Sequence, residues 1–411
     1  MAVSVSSEIG RLREVLVHPP GAELLAVTPS TRVDYLYDDI IDLPRAVGEH
    51  ARFVAILERF AKVHKVTDLL VEVLSDREMR QHLIRDTLDI ISSEPLSREL
   101  EQLEPRELVR ILIEGREEMP GQLTKALNET GFVLPPLPNL FFTRDVAMAV
   151  NDHVLIGSMR YGVRWTEELI MKAIFRYNAR VSNRGILYDG SREHRMNYTL
   201  EGGDIHTLRH DTILIGFSER SSPAAIDNLV NIVFDHTEVT NIIVVIMPHA
   251  QTAIHLDMIF TQVDRELCVV YPPHFLGPER LAILHWKKDD RGMREAAGLF
   301  HALRECGISM EPILCGGDKR VVQEREQWSS GCNFLAVRPG VVLSYSRNEA
   351  TLREMEKTGF RIVNAAAFLE SDAGIPEGER AVIAFDGSEL VRGGGGARCM
   401  TCPIVRDDPE V

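Results

Sequence analysis

The chemically most distinctive stretch is Arg392-Gly393-Gly394-Gly395-Gly396-Ala397-Arg398-Cys399-Met400, near the end of a chain of 411 residues. Consecutive glycines let backbone approach a ligand closely and allow positive φ angles, so the run reads as a flexible loop that delivers Cys399. A thiolate is the nucleophilic form of cysteine, and the flanking charges of Arg392 and Arg398 favour it. Taken alone, the same stretch also fits a frayed, Gly-rich tail, because disorder concentrates near chain ends. Further candidates stand upstream: Asn139 and Asp145, Glu201 and Asp204, and His255 and Asp257. With Cys399 they would bring together a nucleophile, a base and several carboxylates. Singly each is weak, since a lone histidine is more often a hydrogen-bonded structural residue than a catalyst.

The elements that must position these residues form a weak internal repeat. The segments from His153 to Arg160, Thr212 to Arg220 and Gly340 to Arg347 each read as a short apolar strand, then small and polar residues, then arginine, then a helical pattern. Each follows another strand that begins in a polar cluster: Asn139 to Val150, Glu201 to Leu208, and Cys332 to Val337. His255 to Asp264 opens a similar unit. A strand-strand-helix-strand module recurring about every sixty residues implies several equivalent units around a common centre. The chain holds about five of them. The candidate residues fall where the first strand of successive modules begins, and loops at one end of a radially repeated fold converge on one pocket.

Elsewhere, Leu12 to His18 reads as a strand closed by Pro19-Pro20-Gly21. Val47, Ala51, Val54, Leu57 and Ala61 recur at helical spacing, which predicts a helix from Pro44 to about His64. Lys65 to Leu69 reads as a returning strand. Residues 71–130 are acidic with apolar residues in helical rhythm, and Pro95, Pro105 and Pro120 would divide them into short helices. They read as a small all-helical insertion between 1–70 and 131–411, which together form the catalytic body.

Composition narrows the function. A net charge of −15 argues against nucleic acid or an anionic membrane as partner, since both demand clustered positive charge. The N-terminus has no basic and apolar leader pattern, and no charge-free stretch reaches membrane-spanning length; a cytoplasmic protein is expected. Six cysteines are too sparse for a disulfide scaffold. Cys399 and Cys402 form a CxxC, but no second CxxC completes a zinc site, and a redox motif belongs at the start of a helix. A metal-hydrolase reading of His249, His255 and Asp257 lacks an HExxH-like pair.

Taken together, Asn139-Leu-Phe-Phe-Thr-Arg-Asp145, Glu201-Gly-Gly-Asp204, Ser218-Glu-Arg220, His255-Leu-Asp257 and Arg392 to Met400 resemble arginine deiminase, of the guanidino-modifying superfamily. The opening from Ser7 to Leu24 and Tyr345-Ser-Arg-Asn348 resemble that family too, so the likeness spans nearly the whole chain. It implies an α/β fold, a pseudo-fivefold α/β propeller of ββαβ modules. It further implies Cys399 as nucleophile, His255 as general acid and base, and Glu201 as the carboxylate supporting it. Asp145 and Asp257 would bind a guanidinium, while Asn139, Arg164 and Arg220 hold the amino-acid end. The implied reaction takes free arginine and water to citrulline and ammonia with no metal or organic cofactor. A homo-oligomer is compatible with the sequence but not required by it. The loop departs from the family's RGRGGPRCM: Gly394 replaces its middle arginine, Ala397 its proline, and Cys402 a methionine. An amidinotransferase, a methylarginine hydrolase or a non-catalytic guanidine-binding protein would reuse the same residues.

Overall fold

A computed structural model describes residues 2–91, 96–118, 121–127, 131–192, 197–371 and 373–409. The fold is mixed α/β. Among the described residues, five of its sheets share one plan, in which a central strand pairs antiparallel with one neighbour and parallel with another. Leu12–Val17 lies between Cys402–Arg406 and Lys62–Lys65. His153–Ile156 lies between Ala147–Val150 and Ile186–Asp189. Thr212–Phe217 lies between Ile205–Arg209 and Asn241–Ile246, and Leu267–Val270 between Phe260–Asp264 and Glu311–Leu314. Val341–Tyr345 lies between Leu335–Arg338 and Ala381–Phe385. The first of these sheets joins the two ends of the chain.

The parallel pairs require crossovers, and helices supply them. Leu43–Glu58 follows the first central strand, Trp165–Tyr177 the second and Pro223–His236 the third. Each has a sequence reason to start where it does. Asp42 caps the first by accepting the N–H of Arg45, and Ser222 caps the third by accepting that of Ala225, each with proline in the first turn. Central strands such as Val341–Tyr345 are buried along their whole length, which explains their unbroken apolar runs.

Several boundaries differ from the sequence expectation. The first helix ends at Glu58, and the strand that follows is Lys62–Lys65. Val66–Leu74 is a helix rather than a strand, because Val66, Leu69, Leu70 and Val73 form one buried face at helical spacing. The segment 71–130 carries helices, but it is not all-helical: Arg116–Glu118 pairs antiparallel with Gly131–Leu134. Pro105 opens the helix Pro105–Glu114 as expected, whereas Pro95 and Pro120 lie outside the described residues. Leu83, Leu108 and Leu112 of this segment share one core with Leu137, Ile170 and Ile174. No helix among the described residues is long and apolar enough to cross a membrane.

The strands that follow the candidate residues begin later than expected. Strand structure begins only at Ala147, Ile205, Phe260, Leu335 and Cys402. The turn before each leads into a sheet from the same side of the module. Asp145, Glu201, His255 with Asp257, Asn333 and Cys399 all stand in these turns.

Candidate active site

The glycine loop is packed rather than loose. A Cβ on Gly395 would stand 2.4 Å from Phe142, on Gly396 2.6 Å from Asn333 Oδ1, and on Gly393 2.9 Å from Phe142. Close approach therefore requires glycine at these three positions. Gly394 differs: a Cβ there would meet nothing within 4 Å, but its φ is +88°, a left-handed backbone that disfavours side chains. The Tyr345 hydroxyl donates to the Gly395 carbonyl at 3.0 Å, and the Cys399 carbonyl accepts the Arg144 N–H at 3.1 Å. Cys399 is buried, which removes the frayed-tail alternative.

Cys399 Sγ lies 3.5 Å from Asp257 Oδ2 and accepts a hydrogen bond from Asn333 Nδ2 at 3.0 Å. The expected pull of two arginines toward the thiolate is not what dominates. Burial, then Asp257 and Asp145, push the thiol well above its ordinary value, against the Gly396 backbone and Arg398. Arg398 is already neutralised, at 2.9 Å from Asp257 Oδ2 and 3.1 Å from Glu8 Oε1. Arg392 sits on the rim, paired with Asp39.

His255 and Glu201 form a buried pair at 2.8 Å from Nε2 to Oε2. Burial would lower the histidine, but the charge of Asp145 and the hydrogen bond to Glu201 raise it to about 9. Burial likewise opposes ionisation of Glu201, yet Arg220 and His255 hold it at about 2. The pair is thus imidazolium and carboxylate at neutral pH. With Nε2 engaged, Nδ1 is the nitrogen free to exchange a proton, and it lies 3.7 Å from Asp145 Oδ1. The glycines of Glu201-Gly-Gly-Asp204 have steric causes: a Cβ on Gly203 would fall 2.5 Å from the His255 ring and one on Gly202 2.1 Å from the Arg144 carbonyl. Asp204 braces the site instead of facing it. It accepts from Ser218 and Ser221, both at 2.6 Å, and from the Leu256 N–H at 2.9 Å.

All eight expected residues are buried. Asn139, Asp145, Arg164, Arg220, His255 and Cys399 line one inner cavity of about 30 Å³, while Glu201 stands behind His255 and Asp257 beside the sulfur. An outer cavity of about 690 Å³ adjoins it and shares Leu36, Arg220, Ile254, Met258, Gly393 and Gly394 as lining. Leu36 holds a φ of +65° there, uncommon for leucine. Arg164 and Arg220 are not free cations. Arg164 Nη1 donates to Asp145 Oδ2 at 2.6 Å and its Nε and Nη2 bind Glu167 Oε2, while Arg220 Nη1 meets Glu201 Oε2 at 3.2 Å. Asn139 donates to the Tyr35 carbonyl at 2.9 Å.

Two groupings suggested by the sequence, the CxxC pair and the set of His249, His255 and Asp257, are not assembled. Cys402 Sγ donates to the Ala147 carbonyl at 3.2 Å and is a free thiol like the other five, so the CxxC is not a joined pair. His249 lines the outer cavity, edge-on to Phe217, whereas Asp257 pairs with Arg398. The group of described residues with metal-like spacing is instead Asp145, Glu201 and His255, and both carboxylates are already bound by guanidinium groups. Sequence reasoning missed four partners of the site: Asn333, Glu167, Glu8 and Tyr345. Glu167, three residues after Arg164 on a helix, was detectable by spacing; Glu8, far from Arg398 in sequence, was not.

A family model described as arginine deiminase matches residues 34–406. The chain belongs to the arginine deiminase family. An arginine deiminase of Rhodococcus erythropolis (strain PR4) is 34% identical over 425 aligned residues, covering 98% of each chain. Among solved structures, the product-bound N-terminal domain of ArgZ, an arginine dihydrolase of the cyanobacterial ornithine-ammonia cycle, matches with a TM-score of 0.52 at 14% identity, over 96% of this chain and 97% of that one. SxtG, an amidinotransferase of Microseira wollei in saxitoxin biosynthesis, matches with 0.54 at 15%, over 98% and 97%. At those identities the likeness is one of fold. That membership agrees with the grouping of Cys399, the His255–Glu201 pair, Asp145 and Asp257 about one cavity.

Proposed function

We propose that this member of the arginine deiminase family hydrolyses free L-arginine to L-citrulline and ammonia through a thiouronium on Cys399. One observation carries the reading. Asp145 and Asp257 each have one oxygen fixed by an arginine of the chain, Arg164 and Arg398, while the second oxygen, Oδ1 in both, is buried without a hydrogen bond. Buried unpaired carboxylate oxygens are costly, and a planar guanidinium offers the paired N–H donors that would satisfy them.

The inner cavity has room for about one water, so the substrate enters only as its roof, Leu36 and Gly393 to Gly395, gives way. As the cation binds, the thiol proton leaves to solvent. The thiolate attacks the guanidino carbon; His255 protonates one terminal nitrogen, and the C–N bond breaks to release ammonia. Water then attacks the S-bound carbon while neutral His255 takes its proton. The C–S bond breaks with its electrons returning to sulfur, a second proton leaves the oxygen to solvent, and citrulline forms. Glu201 keeps His255 oriented and positive. Asn139, Arg164 and Arg220 hold the amino-acid end, the arginines acting on its carboxylate while they keep their pairings to Asp145 and Glu201.

The five sheets are proposed to stand around a pseudo-fivefold axis as a propeller of ββαβ modules. Residues 1–70 and 131–411 would form the catalytic body and 71–130 the insertion. Support comes from the site, to which each of the five sheets lends a residue. The unpaired cysteines are consistent with the cytoplasm as compartment. The test is incubation with arginine, agmatine and dimethylarginine, reading ammonia and the ureido product. Arginine is expected to turn over and agmatine, without a carboxylate, poorly. Equal turnover of agmatine would contradict the assignment of Arg164 and Arg220, and turnover of dimethylarginine alone, read as the ureido product with release of an alkylamine, would contradict the substrate.

A further inference from the structure

Four of the five turns that lead into the sheets bring a reactive or charged side chain to the site. The remaining one, before Leu335–Arg338, brings Asn333 to the same place, and it too is buried. Its Nδ2 donates to Cys399 Sγ at 3.0 Å and to the Asp257 carbonyl at 3.2 Å. Its Oδ1 accepts the backbone N–H of Arg398 at 2.8 Å and of Cys399 at 3.4 Å. These four contacts fix the orientation of the amide. Turned over, its NH₂ would face two N–H donors and its oxygen a carbonyl. The sulfur therefore always meets a donor from this side, whereas Asp257 can only accept from it.

The surroundings make that donor matter. Asp257 and Asp145 oppose ionisation of Cys399. His255 lines the same cavity. The Tyr345 hydroxyl is spent on the Gly395 carbonyl, and Arg398 on Glu8 and Asp257. Position 394 carries no side chain that could reach in. Among the described residues, Asn333 is the side chain that donates a hydrogen bond to the sulfur. The fit is close enough that a Cβ on Gly396 would stand 2.6 Å from its oxygen.

We propose that Asn333 is a catalytic residue whose N–H stabilises the sulfur anion twice, when the thiol releases its proton and when the C–S bond of the intermediate breaks. This rests on Cys399 being the nucleophile. The second role follows from the first: the electron pair returns to sulfur as the product carbonyl forms, and the same N–H receives it.

The test compares Asn333→Ala with Asn333→Asp. The aspartate keeps the oxygen that holds the loop but replaces the donor with a carboxylate. Alkylation of Cys399 by iodoacetamide, followed across pH by peptide mass with Cys399→Ser as blank, reads the sulfur without any need for turnover. In Asn333→Ala the midpoint is expected to rise by about one pH unit, with kcat for arginine falling roughly ten- to a hundredfold and KM changing little. Asn333→Asp should titrate higher still. A midpoint unmoved in Asn333→Ala, or wild-type titration and turnover in Asn333→Asp, would overturn the proposal and leave the residue a loop clamp. If wild type fails to release ammonia from arginine while the midpoints shift as stated, the deimination reading fails and the role of Asn333 at the sulfur stands.

Discussion

At Cys399 the charges of the protein and of its proposed ligand act in opposite directions. Burial and two aspartates outweigh Arg398 and push the thiol well above its ordinary value; a guanidinium between those aspartates would cancel their effect. The thiolate absorbance of Cys399 is therefore expected to titrate at lower pH when a nonreactive guanidine is added, and an unchanged midpoint would mean that the protein alone sets ionisation. His255 gives a second pH signature. Held at about 9 chiefly by Asp145 and Glu201, it should set the alkaline limb of kcat. Glu201→Gln removes an anion, so that limb should move to lower pH. The linkage has the same sign for stability: a folded value above the unfolded one, about 6.5, makes the His255 contribution full below that pH, and it is lost as pH rises through about 9. Arg164 differs in kind, since its removal strands Asp145 and Glu167 in the interior. Arg164→Ala should destabilise by about 3–5 kcal/mol as well as raise KM, and a urea melt matching wild type would contradict the buried pairing.

At the scale of elements, the glycine loop divides into positions constrained by neighbours and one constrained by its own backbone. Gly396→Ala must push Asn333 away and should nearly abolish turnover. Gly394→Ala meets open space and only the strain of φ +88°, so it should keep most activity at a cost of about 1 kcal/mol. Comparable loss of turnover in both variants would refute this division. The sequence legibly carried the modular rhythm, since apolar runs followed by small residues and arginine recur with each central strand. It also pointed to Asp145, Glu201, His255 and Cys399 as one site. Asn333 escaped although it sits at the same point of its own module, because no carboxylate or histidine follows it in sequence as Asp145 follows Asn139. The loop was read as flexible because glycine has two uses, and only the neighbours Phe142 and Asn333 reveal that close packing governs. The helix Val66–Leu74 was misread because its first residues alone are too short to separate the two periodicities.

For the whole molecule, the chain ends and the segment 71–130 are tied into the same structure that builds the site. Cys402–Arg406, just after the nucleophile, pairs with Leu12–Val17, so the position of Cys399 depends on the N-terminal strand. Leu83, Leu108 and Leu112 share a core with Leu137, Ile170 and Ile174, beside the helix that carries Glu167. Excising 71–130 should therefore expose apolar surface and yield a protein without a cooperative thermal transition; an excised chain that melts like wild type would show the segment to be dispensable. Cys399, the His255–Glu201 pair, Asp145 and Asp257, supplied by separate sheets, are proposed to form a covalent intermediate from arginine. Its most direct test is a rapid acid quench of wild type with arginine, followed by mass analysis of the Cys399 peptide. That peptide is expected to be heavier by arginine less ammonia, transiently in wild type and never in Cys399→Ser. Steady release of ammonia and citrulline with no such adduct on any time scale, together with activity retained in Cys399→Ser, would contradict it.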